Sequence, residues 1–424
     1  MVIDLIDSIT KIKKLYKNNN DFILREIPFK KTSIYLLFFE SLCDSKSIYD
    51  YIVKNIYNNI NKNIYNLNLK TIISSPKLIN INKDEIIYYM ENGFTIVVYK
   101  NQVYSVETKA NIDRGITISD TETNMYGPKD SFCENYQKNL GIIKRRIKTT
   151  NLKVDTIIKG KETKTIISLL YLDNLDNKNK VKDIKNKINN INENILDGNI
   201  LLKKLDNKLF PKIFRTEKPY LVSDYILKNH IVLLVDNSPF VLILDTKFDT
   251  FINPISNDKF LYILRYLCFF ITILTPALYI SLICYNQETI PTSLLINFMN
   301  QRNNVPFPAI IECILMLIMC EILRETDLKF PSSFGSAASI LGALILGEAA
   351  VQAGIVSPIM IIITSITFIT NLLFTQINMV KTIRYIRTIF LLSASILGLY
   401  GIGLISILLL SIMSNIETYK GDYI

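Results

Sequence analysis

The chain has 424 residues, 48 Lys and Arg against 38 Asp and Glu, a net charge of +10 and a hydrophobic fraction of 49%. The chain has one histidine, His230, and no second histidine that could serve a Ser-His or Cys-His catalytic dyad. Its six cysteines are scattered without a C-x-x-C pair, which indicates neither a disulfide framework nor a metal site. We therefore expect neither an enzyme nor a cofactor. The basic charge is spread through an Asn- and Lys-rich composition without a known motif of stacking aromatic residues, which argues against nucleic-acid binding.

Charge and hydropathy divide the chain into a soluble part and a membrane part. From Phe260 to the end there are eight basic and eight acidic residues, so the preceding part holds the other 40 and 30. The first residues lack the uninterrupted apolar stretch and cleavage site of a signal peptide, so the soluble part is expected to be cytosolic. We predict one α/β lobe over residues 1–122, a second over residues 123–255 and a transmembrane helical domain over residues 256–424.

The soluble part contains two copies of one unit. The segment 32–52 resembles 165–185, and 91–106 parallels 228–243 in the same order, at offsets of 133 and 137 residues. Each copy has the pattern of a continuous apolar strand, an acidic turn, an amphipathic helix and two strands joined by a tight turn. The sequence therefore predicts an internal duplication that gives two similar α/β lobes.

A basic cluster closes the helix that is predicted between the two lobes. Its members are Lys144, Arg145, Arg146 and Lys148. Such a cluster can bind phosphate or lipid headgroups, but cations at the carboxyl end of a helix also favour the helix dipole and ordinary solvation. The sequence favours the second interpretation and leaves the first open.

Five apolar segments follow, and they predict an all-α bundle of four or five membrane spans. They are Phe260–Tyr285, Pro306–Leu323, Ser336–Val356, Pro358–Phe374 and Thr388–Met413. If all five cross, the connections on the cytosolic side hold five basic residues and the outer segments hold two, as the positive-inside rule requires. A topology with one re-entrant pair and an internal carboxyl terminus stays open, because the third and fourth segments meet at Ser357 almost without a loop.

The third segment is rich in small residues. Four of them recur every four positions, which predicts a face where another helix backbone can approach closely. They are Gly335, Ser339, Ala343 and Gly347.

The same segment carries the polar residues Glu348 and Gln352 on an adjoining face. A charged side chain in hydrocarbon costs roughly 2.5 to 3.5 kcal/mol on insertion scales, so these residues must face water or a partner. We predict that Glu348 lines a pore; the alternative is a hydrogen bond to Gln352 or to a partner helix. Three apolar positions could close such a path by dewetting. They are Leu341, Ile345 and Val351.

The second segment carries two carboxylates on opposite faces. Glu312 and Glu321 are nine residues apart, about half a turn out of phase on a helix. Glu321 lies near the helix end with Arg324 one turn on, so we expect it to be paired or solvated. Glu312 lies deeper, either as a structural carboxylate that a partner satisfies or as a further polar residue of the pore.

Several stretches together resemble the A subunit of the GerA-type nutrient germinant receptors of endospore-forming bacteria, and nearly the whole chain takes part. They include DFILREI at 21–27, GPKDSF at 127–132, IIKRRIK at 142–148, VDNSPFVLI at 235–243, VPFPAIIE at 305–312 and GALILGEAAVQAGIVSPIM at 342–360.

The resemblance implies a receptor subunit in the inner membrane of the dormant spore. It implies a transporter-like B subunit and a C-subunit lipoprotein as partners, and assembly of the A subunit into a ring, a pentamer, whose membrane part is a ligand-gated channel for monovalent cations. The alternative is a non-conducting scaffold that couples the B subunit to a separate ion-release pathway.

Overall fold

The computed structural model describes residues 2–29, 32–61, 68–100, 102–110, 128–206, 209–252, 259–329, 347–374, 376–418 and 421–423. The chain forms two compact units. Unit 1 comprises Met1–Asp206 and Ile213–Thr246, and unit 2 comprises Asn207–Lys212 and Lys247–Ile424. The short loop 207–212 therefore belongs to unit 2, although both of its chain neighbours belong to unit 1.

The first lobe of unit 1 is an antiparallel sheet covered by helices on both faces. Its strands are β1 Phe22–Phe29, β2 Thr32–Phe39, β3 Leu78–Asn80, β4 Phe94–Tyr99 and β5 Gln102–Glu107, and its helices are α1 Val2–Leu15, α2 Ser45–Ile48, α3 Lys54–Asn61, α4 Leu69–Ile72 and α5 Ile86–Glu91. The strand order is β1-β2-β4-β5-β3. One core lies between the sheet and α2, α3 and α4, and a second core contains residues of α1 and α5, so every residue of β4 is buried.

The second lobe repeats the sheet topology of the first. Its strands are β6 Leu152–Lys159, β7 Thr165–Leu172, β8 Phe214–Thr216, β9 Val232–Val235 and β10 Val241–Ile243, and its helices are α6 Tyr136–Arg146, α7 Leu175–Asn189, α8 Gly198–Leu205 and α9 Pro219–Leu227. The order β6-β7-β9-β10-β8 is that of the first lobe strand for strand, and β7 holds the place of β2. The α/β prediction with two similar sheets is confirmed. Each sheet also contains two strands that the sequence pattern missed. One is the edge strand before the predicted repeat, β1 or β6, and the other is a three-residue strand within the repeat, β3 or β8.

Unit 2 is helical. It contains α10 Phe248–Ile252, α11 Lys259–Cys284, α12 Thr292–Arg302, α13 Ala309–Lys329, α14 Pro358–Asn371, α15 Ile377–Ser414 and the two-residue strands β11 Glu417–Thr418 and β12 Gly421–Asp422. Among the described residues, α11 and α15 are long and apolar enough to cross a membrane, and α14 is apolar but shorter. The count of four or five spans stays a prediction.

The last apolar segment is not one straight helix, because α15 reverses at Gly398. This glycine has φ +60° and ψ −138°, far from helical values. Three residues on, a Cβ added to Gly401 would overlap the carbonyl oxygen of Ser393. Residues eight apart in a straight helix are about 12 Å apart. The segment Thr388–Met413, which the sequence presents as a single span, therefore contains a turn and parts of two helical legs.

Contacts at the two ends of α15 agree with this reversal. The Oγ1 of Thr382 donates to the carbonyl oxygen of Leu209, and the hydroxyl of Tyr423 donates to that of Pro211. In a straight helix Ser414 would lie about 48 Å from Thr382, and the nine residues that follow span at most about 32 Å. Both legs of the hairpin therefore end at the loop 209–212, which marks what we term the proximal end of the bundle; the turn at Gly398 marks the distal end.

Candidate functional site

Glu348 and Gln352 lie on the exposed face of the helical residues 347–352. The Nε2 of Gln352 donates to Oε1 of Glu348 at 3.3 Å across one helical turn, which is one of the two arrangements that the sequence left open. Residues 336–356 contain no Lys or Arg. An exposed carboxylate in an apolar segment needs water or a second chain around it, so the geometry leaves Glu348 available for an aqueous path.

The contacts of this helix place Glu348 close to the connection before α13. An ideal Cβ on Gly347 would lie 3.9 Å from Cδ1 of Ile361, one turn into α14. An ideal Cβ on Gly354 would lie 3.2 Å from the carbonyl oxygen of Asn304, in the connection before α13. Six residues of helix rise about 9 Å, so Glu348 lies within two turns of that connection. A pore that it lines would have this carboxylate near a mouth.

The remaining predicted gate and packing residues divide between described and undescribed parts of the chain. Val351 is half-buried, and Gly347 is within van der Waals distance of α14. Five others lie outside the described residues, so their roles stay predictions. These are Gly335, Ser339, Leu341, Ala343 and Ile345.

Glu312 is fully buried and caps the amino end of α14. Its Oε1 accepts hydrogen bonds from the backbone N–H and the hydroxyl of Ser357, the residue before α14. Its Oε2 lies 3.8 Å from Nε of Arg302. The free N–H groups and dipole at a helix amino end favour a negative charge. This geometry favours the structural interpretation of Glu312 over a place in a pore.

Glu312→Ala is expected to destabilise unit 2 by about 1–3 kcal/mol, because Ser357 loses a buried acceptor and Arg302 loses its counter-ion. The melting temperature of the detergent-solubilised chain would fall by several degrees. Glu288→Ala, which changes an exposed carboxylate in the connection after α11, is the matched control and should leave it unchanged. Equal melting temperatures for the two variants would contradict the capping role.

Glu321 pairs with two arginines of α15 that the sequence did not assign to it. Nη2 of Arg387 lies 3.0 Å from its Oε1, and Nη2 of Arg384 donates to its Oε2. The predicted partner, Arg324, donates instead to the carbonyl oxygen of Phe374 at 3.4 Å. Arg384 and Arg387 are three residues apart and so lie on one face of a helix, which allows them to share a partner, but the sequence does not show which carboxylate this is.

In unit 1 the basic cluster of α6 begins with a buried ion pair. Nζ of Lys144 donates to Oδ2 of Asp21, and the two side chains are 6% and 4% exposed. Asp21 also accepts from the backbone N–H and the hydroxyl of Ser41, at 2.8 and 2.7 Å. The same Nζ lies 3.9 Å from the ring centroid of Phe39. Lys144 therefore joins α6 to the first lobe and is not available to a phosphate.

Two further members of the cluster have partners in the same unit. A guanidinium nitrogen of Arg146 lies beside a carboxylate oxygen of Asp130, and Nζ of Lys148 donates to Oδ1 of Asn92 at 2.6 Å. These contacts favour the ordinary interpretation of the cluster over headgroup binding.

Burial shifts the titration of two groups in unit 1. Desolvation lowers the pKa of Lys144, although Asp21 opposes the shift. Desolvation raises the pKa of Cys43 to about 11, so this thiol stays protonated at neutral pH. Both shifts follow mainly from burial. The Cys43 thiol is not activated, since the thiolate is the nucleophile and burial disfavours it.

A two-lobed α/β unit that precedes apolar helices, two of them passing the length and hydropathy test for a membrane span, indicates a membrane-associated protein. The chain matches the Bacillus/Clostridium GerA spore germination protein family over residues 10–424. It therefore belongs to the GerA spore germination protein family.

Relatives in Bacillus species cover most of the chain. It is 30% identical to spore germination protein KA of Bacillus subtilis, over 99% of this chain and 81% of the relative, and 28% identical to GerQA of Bacillus cereus, over 99% and 87%. Spore germination protein A1 of Bacillus subtilis is 31% identical over 76% of this chain and 69% of its own length. A solved structure, the N-terminal domain of the A subunit of the Bacillus megaterium spore germinant receptor GerK3, matches with a TM-score of 0.42 and 23% identity over 57% of this chain and 94% of that one.

Proposed function

We propose that this chain is the A subunit of a nutrient germinant receptor and that it assembles into a homo-oligomeric ring, a pentamer, whose membrane part conducts monovalent cations. The observation that carries the channel is the exposed Glu348 in an apolar segment without a basic residue. Family membership supports the role in germination.

In a ring, the exposed carboxylates of all subunits together select ions by charge. Each subunit places its own Glu348 at the same height, so symmetry produces a belt of negative charge near one mouth of the pore. Acidic rings attract cations and repel anions in cation channels. The bond from Gln352 orients the carboxylate without neutralising it.

The proposed setting is the spore inner membrane, with unit 1 on the cytosolic side. The partners are a transporter-like B subunit, which supplies nutrient recognition, and a C-subunit lipoprotein. This assignment rests on the family, whose members are named as spore germination proteins, and on the apolar character of α11 and α15.

A non-conducting scaffold is the second candidate. Glu312 and Glu321 both have polar partners within the chain, Ser357 for the first and Arg384 and Arg387 for the second, as expected for carboxylates with a structural role. Under this candidate Glu348 contacts a partner subunit and not water.

The two candidates are separated by ion flux through the purified chain in liposomes. We expect a cation-selective conductance, and we expect Glu348→Gln to reduce the cation-over-anion permeability ratio about fivefold to tenfold, because a carboxylate 4 Å from a cation contributes about 1 kcal/mol even in water. The reversal potential under a KCl gradient measures the ratio.

Glu288→Gln provides the matched control, since it makes the same chemical change at an exposed site in the connection between α11 and α12. Unchanged selectivity in Glu348→Gln channels that still conduct would remove Glu348 from the pore. Absence of any flux from the assembled wild-type ring would favour the scaffold.

A further inference from the structure

Residues 209–212 are held inside unit 2 by both legs of the α15 hairpin. In sequence this loop lies between α8 and β8 of the second lobe. The hydroxyl of Thr382, on the first leg, donates to the carbonyl oxygen of Leu209 at 2.7 Å. The hydroxyl of Tyr423, beyond the second leg, donates to that of Pro211, also at 2.7 Å.

Tyr423 is fixed at its ring and at its backbone. The residue is fully buried, with its ring centroid 6.3 Å from that of Phe210 and 5.9 Å from that of Phe248. The backbone N–H of Phe248 donates to the carbonyl oxygen of Tyr423 at 3.0 Å. An isolated pair of two-residue strands such as β11–β12 has little stability of its own, so these contacts are what hold the chain after α15.

We propose that Thr382 and Tyr423 form a clasp that fixes the loop 209–212 to both legs of the α15 hairpin, so that the loop and the proximal ends of the legs move as one body. The chain passes from unit 1 into unit 2 at this loop as well as before α11, and the clasp fixes the loop to α15. It goes beyond the proposed channel, since it concerns how any motion of the second lobe reaches α15.

The chemistry of the clasp suits positioning. Both hydroxyls donate to backbone carbonyls, which fix the course of the loop whatever side chains it carries. A buried tyrosine hydroxyl needs a partner, and the Pro211 carbonyl provides it. Phe210, which is 1% exposed, lies in the chain between the two residues whose carbonyls accept these bonds, and its ring contacts that of Tyr423.

Hydrogen–deuterium exchange of the full chain in nanodiscs tests the clasp without requiring ion flux. Tyr423→Phe and Thr382→Val each remove one donor and little volume. Each is expected to raise amide exchange in residues 209–216 roughly threefold to tenfold, the range for loss of one hydrogen bond. The double variant should raise it by at least the product of the two, and should also raise exchange at 376–382 and 415–423.

Two matched variants control for the chemical change itself. Tyr400→Phe alters a tyrosine of the second leg that is 86% exposed, and Thr388→Val removes a hydroxyl that donates only to Arg384 one turn back. Both should leave exchange in 209–216 as in the wild type. Unchanged exchange there in the double variant would overturn the clasp, and so would an equal rise throughout unit 2, which would indicate general destabilisation.

Discussion

Replacing Gly398 by valine is expected to lower the melting temperature of the detergent-solubilised chain by roughly 10 °C, through backbone strain and steric overlap at the hairpin turn. A φ of +60° is a left-handed conformation that β-branched residues strongly avoid. The new Cβ would also lie 2.9 Å from Cβ of Tyr285, at the end of α11. Failure to close the hairpin would separate the chain after α15 from the loop 209–212.

Gly403 provides the matched control for this substitution. It lies in the second leg of the same hairpin, and nothing lies within 4 Å of an ideal Cβ at that position. Gly403→Val should therefore change the melting temperature by little. If Gly398→Val and Gly403→Val unfold at the same temperature, the reversal does not depend on glycine at 398.

The hairpin could not be predicted because its signal is local backbone geometry inside a uniformly apolar run. Gly398, Gly401 and Gly403 are three glycines in one stretch, and periodicity cannot say which one adopts a positive φ. The length of the segment did not indicate a turn either, since the residues from Thr388 to Met413 are enough for one tilted span.

The two α/β lobes were more predictable, because long buried strands and a repeated order of elements survive in the sequence. The three-residue strands β3 and β8 were missed since they are too short for an alternating pattern. The partners of Glu312 and Glu321 were missed for another reason: Ser357 follows Glu312 by 45 residues, and Arg384 follows Glu321 by 63. Such pairs depend on helix packing, which one sequence does not reveal.

Asp21→Asn is expected to destabilise unit 1 by about 3–5 kcal/mol, the cost of leaving one buried charge without its partner. Lys144 would keep its buried ammonium without the carboxylate that accepts from it and from Ser41. The loss should appear in chemical unfolding of the full chain, followed by a probe in the first lobe.

The same variant should show a defined pH dependence. Burial already lowers the pKa of Lys144, and loss of Asp21 removes the charge that opposes this shift. Between the lowered native pKa of Lys144 and its unfolded value of about 10.4, the unfolded state binds more protons, so the stability of Asp21→Asn should rise with pH. If the stability of Asp21→Asn did not change up to about pH 10, the Lys144 ammonium would be hydrated in the folded variant.

A double-mutant cycle with Lys144→Met separates the ion pair from general disruption. The pair of changes, Asp21→Asn with Lys144→Met, leaves no buried charge, so it should be more stable than Asp21→Asn alone, with a coupling energy of roughly 1–3 kcal/mol. Lys148→Met, at an exposed residue of the same cluster, should change stability by less than about 0.5 kcal/mol. Additive effects at Asp21 and Lys144 would show that α6 and the first lobe are held together by apolar packing and not by this pair.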